Sequence, residues 1–199
     1  MAPPVDSSAL RSGHFVFSTV IGFIAMAWSP EGLVSLQLPG ADRDATRKRL
    51  LKGLGERAGA FPPVEETALP SAVLEWVHRI RAYTSGEHVD FSDVPVDLTG
   101  IEAFRRDIYT AARQLGYGET TTYGELAGRA GHPGEARETG QALGANPVTI
   151  VIPCHRIMAA GGRIGGFSAH GGIMTKRKLL AMENARFGTP DPDQQSFGF

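Results

Sequence analysis

The sequence predicts an α/β N-terminal domain with a small antiparallel sheet, followed by a mainly α C-terminal domain of winged or helix-turn-helix type that carries the only cysteine, Cys154. Two observations predict this order. β-branched and aromatic residues dominate between Phe15 and Leu38, whereas apolar residues at helical spacing begin at Ile101. The chain has 199 residues, 42% of them hydrophobic, which is enough for one ordinary domain or two small ones.

Composition sets the expected boundaries of these parts. Residues 1–13 are rich in proline and small side chains, so we expect a flexible arm. Residues 14–98 form the predicted N-terminal domain, and residues 99–185 form the C-terminal one. Residues 186–199 have no periodic pattern and are interpreted as a tail.

The N-terminal part is predicted to contain strands first and helices afterwards. Three β-rich runs, Phe15–Ile21, Phe23–Trp28 and Leu33–Leu38, predict an antiparallel meander of two or three strands. A helix follows with Asp42 as its cap, and an amphipathic helix spans about Ser71–Tyr83. Since this half has no cysteine, no cluster of metal ligands and no phosphate-binding glycine loop, we predict a structural role for it.

The C-terminal part is predicted to be mainly helical. Apolar spacing from Ile101 predicts a helix that ends at Gly116. A capping-box pattern at Thr122 opens a second helix, and Pro133 is the predicted first turn of a third, which ends at Gly144. Two short helices joined by a three-residue turn are typical of a helix-turn-helix, whose second helix contacts DNA. A last helix is predicted over about Ile173–Asn184.

Charge and cysteine content narrow the function classes. The net charge of −1 does not itself indicate a nucleic-acid partner, but residues 101–185 hold 10 Lys and Arg against 7 Asp and Glu, so the C-terminal part is basic. A single cysteine excludes an internal disulfide and a thiolate-rich zinc site, and it indicates a reducing cytoplasm. The apolar run Phe15–Trp28 is shorter than the ~20 residues of a spanning helix, so we predict no membrane segment and no signal peptide.

The stretch Ile150–Met158 is the strongest candidate for chemistry. A β-branched run enters a Pro-Cys-His-Arg turn, which predicts a sulfur at the end of a buried strand beside an imidazole and a guanidinium. Such neighbours can lower a thiol pKa from about 8.5 and produce a thiolate nucleophile. A lone cysteine among apolar residues can also be inert core filling, but the adjacent His155 and Arg156 favour the nucleophile.

The residues around this turn carry a family resemblance. Asn146-Pro147 precedes it, Gly165–Ser168 and Lys176–Glu183 follow it, and Tyr123 and Ala136-Arg137 lie further upstream. In this order, over about Gly116 to Glu183, the chain resembles the O6-alkylguanine-DNA alkyltransferases.

The resemblance implies DNA repair without a cofactor or a metal. The alkyl group of O6-alkylguanine, or of O4-alkylthymine, would pass irreversibly to Cys154 after the base is flipped out of the helix, once per protein molecule. The implied partner is double-stranded DNA containing O6-alkylguanine. The protein would act as a monomer, with cooperative binding to DNA left open.

The resemblance also implies the roles of the catalytic residues. His155 would take the thiol proton through a water, and Glu183 would orient His155. Asn146 would brace the active-site turn, and Arg156 would give structural and electrostatic support.

On the substrate side, the resemblance implies that Arg137 enters the base stack and fills the vacated space. Ala136 would let the helix approach the DNA backbone closely. Tyr123 would contact the flipped guanine and turn the 3′ phosphate. Ser168 would contribute to the pocket near guanine O6, with Phe167 beside it at a position where tyrosine is frequent.

Two other function classes compete with this interpretation. The first is a DNA-binding protein that recognises damage without repairing it, as alkyltransferase-like relatives do, but such proteins lack the cysteine that this chain has. The second is a Cys-His hydrolase or acyltransferase. Those enzymes take their base from a distant part of the chain, and the predicted helix-turn-helix would then be unexplained.

Overall fold

A three-stranded antiparallel sheet begins the fold of the computed structural model, which describes residues 10–185. The strands are β1 (Gly13–Thr19), β2 (Gly22–Ser29) and β3 (Gly32–Gln37), in the order β1-β2-β3. The predicted meander is therefore confirmed. Val20 and Ile21, which we predicted in the first strand, lie in the turn before Gly22, whose φ of 121° favours glycine.

Two helices cover the sheet. The helix α1 (Arg43–Leu54) begins as predicted, because the Asp42 carboxylate accepts from the Ala45 N–H at 2.7 Å. It covers one face of the sheet, where Leu50 and Leu54 are buried in a small apolar cluster. The helix α2 (Ser71–Thr84) packs against the opposite face. Its predicted apolar positions, Val73, Val77 and Ile80, are buried. Trp76 and Tyr83 are buried with them.

The C-terminal half is mainly helical. The capping box is confirmed, since Thr122 accepts from the N–H of Glu125 and the Glu125 carboxylate accepts from the N–H of Thr122. Two short strands, one just before the capped helix and one just after the Cys154 turn, pair in parallel and so connect these two segments. The elements are α3 (Ala103–Arg113), β4 (Thr121–Thr122), α4 (Tyr123–Arg129), α5 (Ala136–Gly144), β5 (Ile157–Met158) and α6 (Gly172–Met182).

The helix pair α4–α5 differs from the prediction in its connection. The helix α5 begins at Ala136 rather than at Pro133, so residues 130–135 join the two helices instead of a three-residue turn. Gly134 adopts a φ of 92°, which is outside the helical region, and the helix can therefore begin only after it. The two helices pack against each other and against α3.

The apolar run before Cys154 was predicted as a buried strand, and this prediction is wrong. Val148 forms only an isolated bridge with Leu36 of β3, and the chain then turns so that the N–H of Val151 donates to the carbonyl of Thr149 at 2.9 Å. Ile150 has a φ of 72°, which a β-branched residue rarely adopts. The run is buried as expected, but it forms a tight turn because its polar backbone groups pair locally and with β3.

The two halves share one apolar core. The larger cluster of buried residues contains Phe15 and Met26 from the sheet, Val77 from α2 and Ile152 from the active-site turn. The Thr149 hydroxyl and N–H both donate to the Leu36 carbonyl, at 2.7 and 3.2 Å. The N-terminal sheet therefore supports the turn that precedes the cysteine.

Most of the predicted arm and the whole predicted tail, residues 1–9 and 186–199, lie outside the described residues. The end of the arm is packed against the fold: Leu10 is buried, and the Arg11 carbonyl accepts from the Trp28 indole at 2.8 Å. Between residues 10 and 185, no helix has the length and hydrophobicity needed to cross a membrane.

Candidate active site

Cys154 begins a 3₁₀ helix, Cys154–Arg156, directly after the tight turn. The Asn146 side chain connects this helix to the turn. Its Nδ2 donates to the Ile152 carbonyl at 2.8 Å and to the Cys154 sulfur at 3.2 Å, while its Oδ1 accepts from the N–H of Val148 at 3.0 Å. These three contacts fix the position of the sulfur relative to the turn.

The resting state of Cys154 differs from the sequence prediction. Burial raises the pKa of the thiol, and the Asn146 hydrogen bond and the nearby Lys176 charge offset this only in part. Arg156, which we expected to lower the pKa, points instead at Glu183 and at the Leu115 carbonyl. Cys154 is therefore a protonated thiol at neutral pH and needs a base to become a nucleophile.

The residue predicted to be the base lies next to Cys154 in the chain, in a buried network centred on Glu183. His155 is fully buried, and its Nε2 lies 2.8 Å from Glu183 Oε1. Arg156 donates from Nη2 to Oε1 at 2.9 Å and from Nε to Oε2 at 2.8 Å. The N–H of Gly118 donates to Oε2 at 3.1 Å. Since buried charges are stable only when they are paired and hydrogen-bonded, this network can hold the carboxylate in its ionised form.

The network also fixes the proton on the imidazole. Burial alone would raise the pKa of Glu183, but the hydrogen bonds from His155 and Arg156 outweigh it and hold the pKa well below its usual range. An ionised carboxylate only accepts, so Nε2 of His155 carries a hydrogen. Burial lowers the pKa of His155, which keeps the ring neutral. Nδ1 is buried without a hydrogen-bond partner in the region described, so its lone pair is free to accept a proton.

Tyr83 is a member of this network that sequence reasoning missed. Its hydroxyl donates to Glu183 Oε1 at 2.6 Å and lies 3.3 Å from His155 Nε2, although it belongs to α2 of the N-terminal half. Its helical spacing with Val73, Val77 and Ile80 places it on the buried face of α2, which the sequence could have shown. The partner, 100 residues further along the chain, could not be predicted from spacing.

The predicted substrate residues lie near the glycine-rich loop after β5. The Tyr123 hydroxyl donates to the Gly166 carbonyl at 3.5 Å, and Phe167 is half-buried against the core. Ser168 is exposed and lines a cavity of about 360 Å³ that Asn146 and Thr149 also line. Ser168 therefore faces the side of the active-site turn that Asn146 braces.

Lys176 belongs to the sequence motif of the resemblance, but no role was predicted for it. It is fully buried on α6, and its ammonium donates to the carbonyls of Ile157 and Gly166, which links β5 to the glycine-rich loop. It also lies 5.9 Å from the centre of the Tyr123 ring. Its spacing with Leu179, Leu180 and Glu183 puts all four on one helix face, a signal that could have identified it.

The burial of Lys176 predicts an alkaline increase in stability. Desolvation lowers the pKa of Lys176 to about 8, whereas an unfolded lysine titrates near 10.4. Between these values the unfolded chain binds more protons, so the free energy of unfolding should rise with pH, by up to about 1.4 kcal/mol per pH unit. Urea denaturation between about pH 8 and pH 10 measures this slope, because the two pKa values bound the range in which it is expected.

Lys176→Met is the matched variant for this prediction. It retains the length of the side chain and removes the titrating group, so the difference in slope between the two proteins isolates Lys176 from other groups. Equal slopes in both proteins would contradict the prediction.

Ala136 and Arg137 lie apart from the Glu183 network, in the first turn of α5. Ala136 is half-buried, and Arg137 is exposed. Across residues 10–185, Arg137 has neither a hydrogen bond nor an ion pair, so its guanidinium is free to bind another molecule. Glu138 beside it is also exposed and lowers the positive charge of this end of the helix.

The described residues contain no group of three or more His, Cys, Asp or Glu side chains that could hold a metal ion. Apart from Nδ1 of His155, the polar side-chain atoms of Asn146, His155, Arg156 and Glu183 are hydrogen-bonded within the described residues. The arrangement can activate a thiol by proton transfer to an oriented imidazole, which is the logic of a cysteine nucleophile with a base held by a third group.

Comparison with known proteins agrees with this chemistry. Residues 103–185 match the family model described as 6-O-methylguanine DNA methyltransferase, DNA binding domain. A methylated-DNA–protein-cysteine methyltransferase of Mycolicibacterium paratuberculosis is 41% identical over 157 residues, which is 78% of this chain and 88% of the relative.

Solved structures show the same similarity. The structure of Mycobacterium tuberculosis OGT in complex with DNA superposes with a TM-score of 0.67 at 33% identity, over 86% of this chain and 92% of that one. The O6-methylguanine-DNA methyltransferase of Pyrococcus kodakaraensis gives a TM-score of 0.66 at 26% identity, over 86% and 99%. The chain therefore belongs to the methylated-DNA–protein-cysteine methyltransferase family and repairs DNA by direct alkyl transfer.

Proposed function

We propose that Cys154 is the residue that accepts the alkyl group, that its substrate is O6-alkylguanine or O4-alkylthymine flipped out of double-stranded DNA, and that each molecule reacts once. One observation carries this proposal. The only sulfur nucleophile of the chain is hydrogen-bonded by Asn146 and followed directly by the buried His155–Glu183 pair.

The transfer is a displacement at the alkyl carbon. Nδ1 of His155 takes the thiol proton through a water, the sulfur forms a bond to the carbon, and the bond from that carbon to guanine O6 breaks. The electron pair stays with guanine, and the imidazolium passes its proton through water to the guanine anion, so that both end neutral and the thiol proton finishes on guanine. The thioether that forms is not hydrolysed, so Cys154 is consumed.

Three side chains support this step without touching the alkyl group. Glu183 holds the hydrogen on Nε2 of His155 and stabilises the imidazolium that forms. Arg156 keeps Glu183 ionised through two hydrogen bonds. Asn146 donates to the sulfur, and this hydrogen bond strengthens as negative charge develops there.

DNA binding is assigned to the helix pair and the glycine-rich loop. Arg137, exposed at the start of α5 and unpaired among residues 10–185, enters the space left by the flipped base, and the small Ala136 lets the helix approach the DNA backbone. Tyr123 contacts the guanine and the 3′ phosphate, while Ser168 and Phe167 form the pocket near O6. The helix pair α4–α5 then acts as a helix-turn-helix with a long connection.

The two proposed domains have different roles. Residues 14–98 support the active-site turn, and residues 99–185 bind DNA and transfer the alkyl group. We propose that the protein acts as a monomer, because Cys154, its base and the residues that orient the base belong to one chain.

Intact-protein mass spectrometry tests the proposal. The protein is incubated with a duplex that contains one O6-methylguanine, and peptide mapping follows. We expect a mass gain of one methylene per molecule, located on Cys154, that saturates at one equivalent even with excess DNA. The same assay with O4-methylthymine and with unmodified duplex gives the substrate range and the background.

Two results would contradict the proposal. A gain on a different residue would refute Cys154 as the acceptor, and continued turnover of excess DNA would refute the single reaction. Selective binding to the lesion without any mass gain would instead indicate a damage-recognition protein.

A further inference from the structure

We propose that Tyr83 is a positioning residue for alkyl transfer: its hydroxyl, carried on α2 of the N-terminal half, holds the Glu183 carboxylate and thereby sets the tautomer and the proton affinity of His155. The inference rests on the proposed role of His155 as the base. It goes further by assigning a part of the machinery to the half of the chain that we predicted to be only structural.

The geometry of the contact is specific. The Tyr83 hydroxyl oxygen lies 2.6 Å from Glu183 Oε1, which is the same oxygen that accepts from His155 Nε2 at 2.8 Å and from Arg156 Nη2 at 2.9 Å. Short hydrogen bonds from O–H to a charged oxygen are among the stronger ones in proteins. The two donors therefore compete directly with the imidazole for one oxygen.

Burial makes this competition effective. Tyr83 and His155 have no exposed surface, and Glu183 is 3% exposed. Around Tyr83, the rings of Phe91 and Tyr117 pack edge-on at 5.6 and 6.2 Å between centroids and exclude solvent. In such a setting a hydrogen bond to an ionised group is stronger than one in water, and water cannot replace it.

The position of the hydroxyl predicts the direction of its effect. By donating to Oε1, Tyr83 withdraws negative charge from the oxygen that faces the imidazole, so Glu183 stabilises a proton on His155 less strongly. The ring then stays neutral to lower pH, and Nδ1 stays available to take the thiol proton. Without the hydroxyl, Glu183 attracts the proton more strongly, and the inactive imidazolium persists to higher pH.

Other charged groups face the His155 ring, and the Tyr83 variants described below leave all of them unchanged. Glu183 and Arg156 contact or flank it directly. Lys176 of α6 acts on it through space, as do the Glu183 and Arg156 charges. Tyr117 lies near Glu183, and its hydroxyl donates to the Met182 carbonyl at 2.9 Å. Cys154 precedes the ring in the chain.

The test is the pH dependence of the single-turnover rate of alkyl transfer from an O6-methylguanine duplex. Tyr83→Phe removes only the hydroxyl. We expect the acid limb of the profile to move up by about one pH unit, so that the rate below the limb falls about tenfold while the plateau changes little. Tyr109→Phe is the matched control, because Tyr109 is equally buried and its hydroxyl donates to the Ala142 carbonyl at 2.8 Å, outside the network.

A second variant changes the hydroxyl in the opposite direction and preserves the packing. With 3-fluorotyrosine at position 83 alone, the phenol is a stronger donor, and the acid limb should move down. If Tyr83→Phe does not fold, this protein decides the question by itself. A rate that falls equally at every pH, or a limb that neither variant moves, would overturn the proposal.

One further variant separates this proposal from the proposed function. The acid limb of the wild-type protein should disappear in His155→Gln, which has no titrating ring. A limb that persists there refutes His155 as the base. A limb that disappears there but is unaffected by both Tyr83 variants refutes only the role of Tyr83.

Discussion

Glu183→Gln is expected to slow alkyl transfer by about a thousand-fold and to lower the free energy of unfolding by about 3–5 kcal/mol. A carboxamide keeps the shape of the side chain but replaces one acceptor by a donor. That NH₂ group would then face either the donors Arg156 Nε and the Gly118 N–H, or His155 Nε2–H and the Tyr83 hydroxyl. Either orientation leaves the buried Arg156 charge without its counter-ion and no longer fixes the imidazole tautomer.

Single-turnover kinetics and urea denaturation measure the two effects. The matched control is Glu119→Gln, because Glu119 is an exposed carboxylate paired with Arg129 at 3.2 Å, and such surface pairs contribute about 0–1 kcal/mol. Transfer by Glu183→Gln within threefold of the wild-type rate would show that the carboxylate does not orient the base.

The loss of stability at acidic pH gives an independent test of the Glu183 carboxylate. Because the pKa of Glu183 is lower in the folded protein than in the unfolded chain, its contribution to stability is complete above about pH 5 and is lost as pH falls towards the folded value. The wild-type protein should therefore lose more stability than Glu183→Gln when the pH is lowered from 6 to 3.

Arg137→Ala is expected to slow repair of an O6-methylguanine duplex by about 100-fold while changing the reaction with the free O6-alkylguanine base by less than about twofold. Extruding a base costs a few kcal/mol, and a side chain that fills the vacated space offsets part of that cost. The free base needs no extrusion. Single-turnover rates on the two substrates separate the effect on the DNA step from any effect on Cys154.

Arg129→Ala is the matched control for this prediction, since Arg129 is also an exposed arginine of the helix pair but is paired with Glu119. It should change the rate on duplex only slightly. An equal loss on both substrates in Arg137→Ala would argue against a role in base flipping.

Much of the local structure could be predicted because it depends on neighbours in the sequence. The meander follows from β-branched runs separated by turns, and the caps at Asp42 and Thr122 follow from side chains three residues from their targets. The connection between α4 and α5 was wrong because Pro133 favours a helical first turn, while Gly134 adopts a φ that prevents one.

The candidate site was predictable in its parts and not in its assembly. The resemblance named Cys154, His155 and Glu183. The fold places them in two groups: Asn146 hydrogen-bonds Cys154, and His155 and Arg156 hydrogen-bond Glu183. The expected low pKa of Cys154 was wrong, because burial raises the pKa of the thiol and Arg156 turns towards Glu183 instead of the sulfur. Tyr83 was missed because its contact depends on how the two halves pack.

Ile150 introduces backbone strain into the active-site turn. A β-branched residue with a φ of 72° costs of order 1–3 kcal/mol relative to an extended conformation. The turn retains it because the Leu36 carbonyl holds Thr149 on one side and Asn146 holds Ile152 on the other. The strained segment before Cys154 is thus held by hydrogen bonds at both ends, and one of these attachments is to β3, at the edge of the N-terminal sheet. Any change that loosens β3 should therefore release the strain at Ile150 and move the Cys154 sulfur relative to His155.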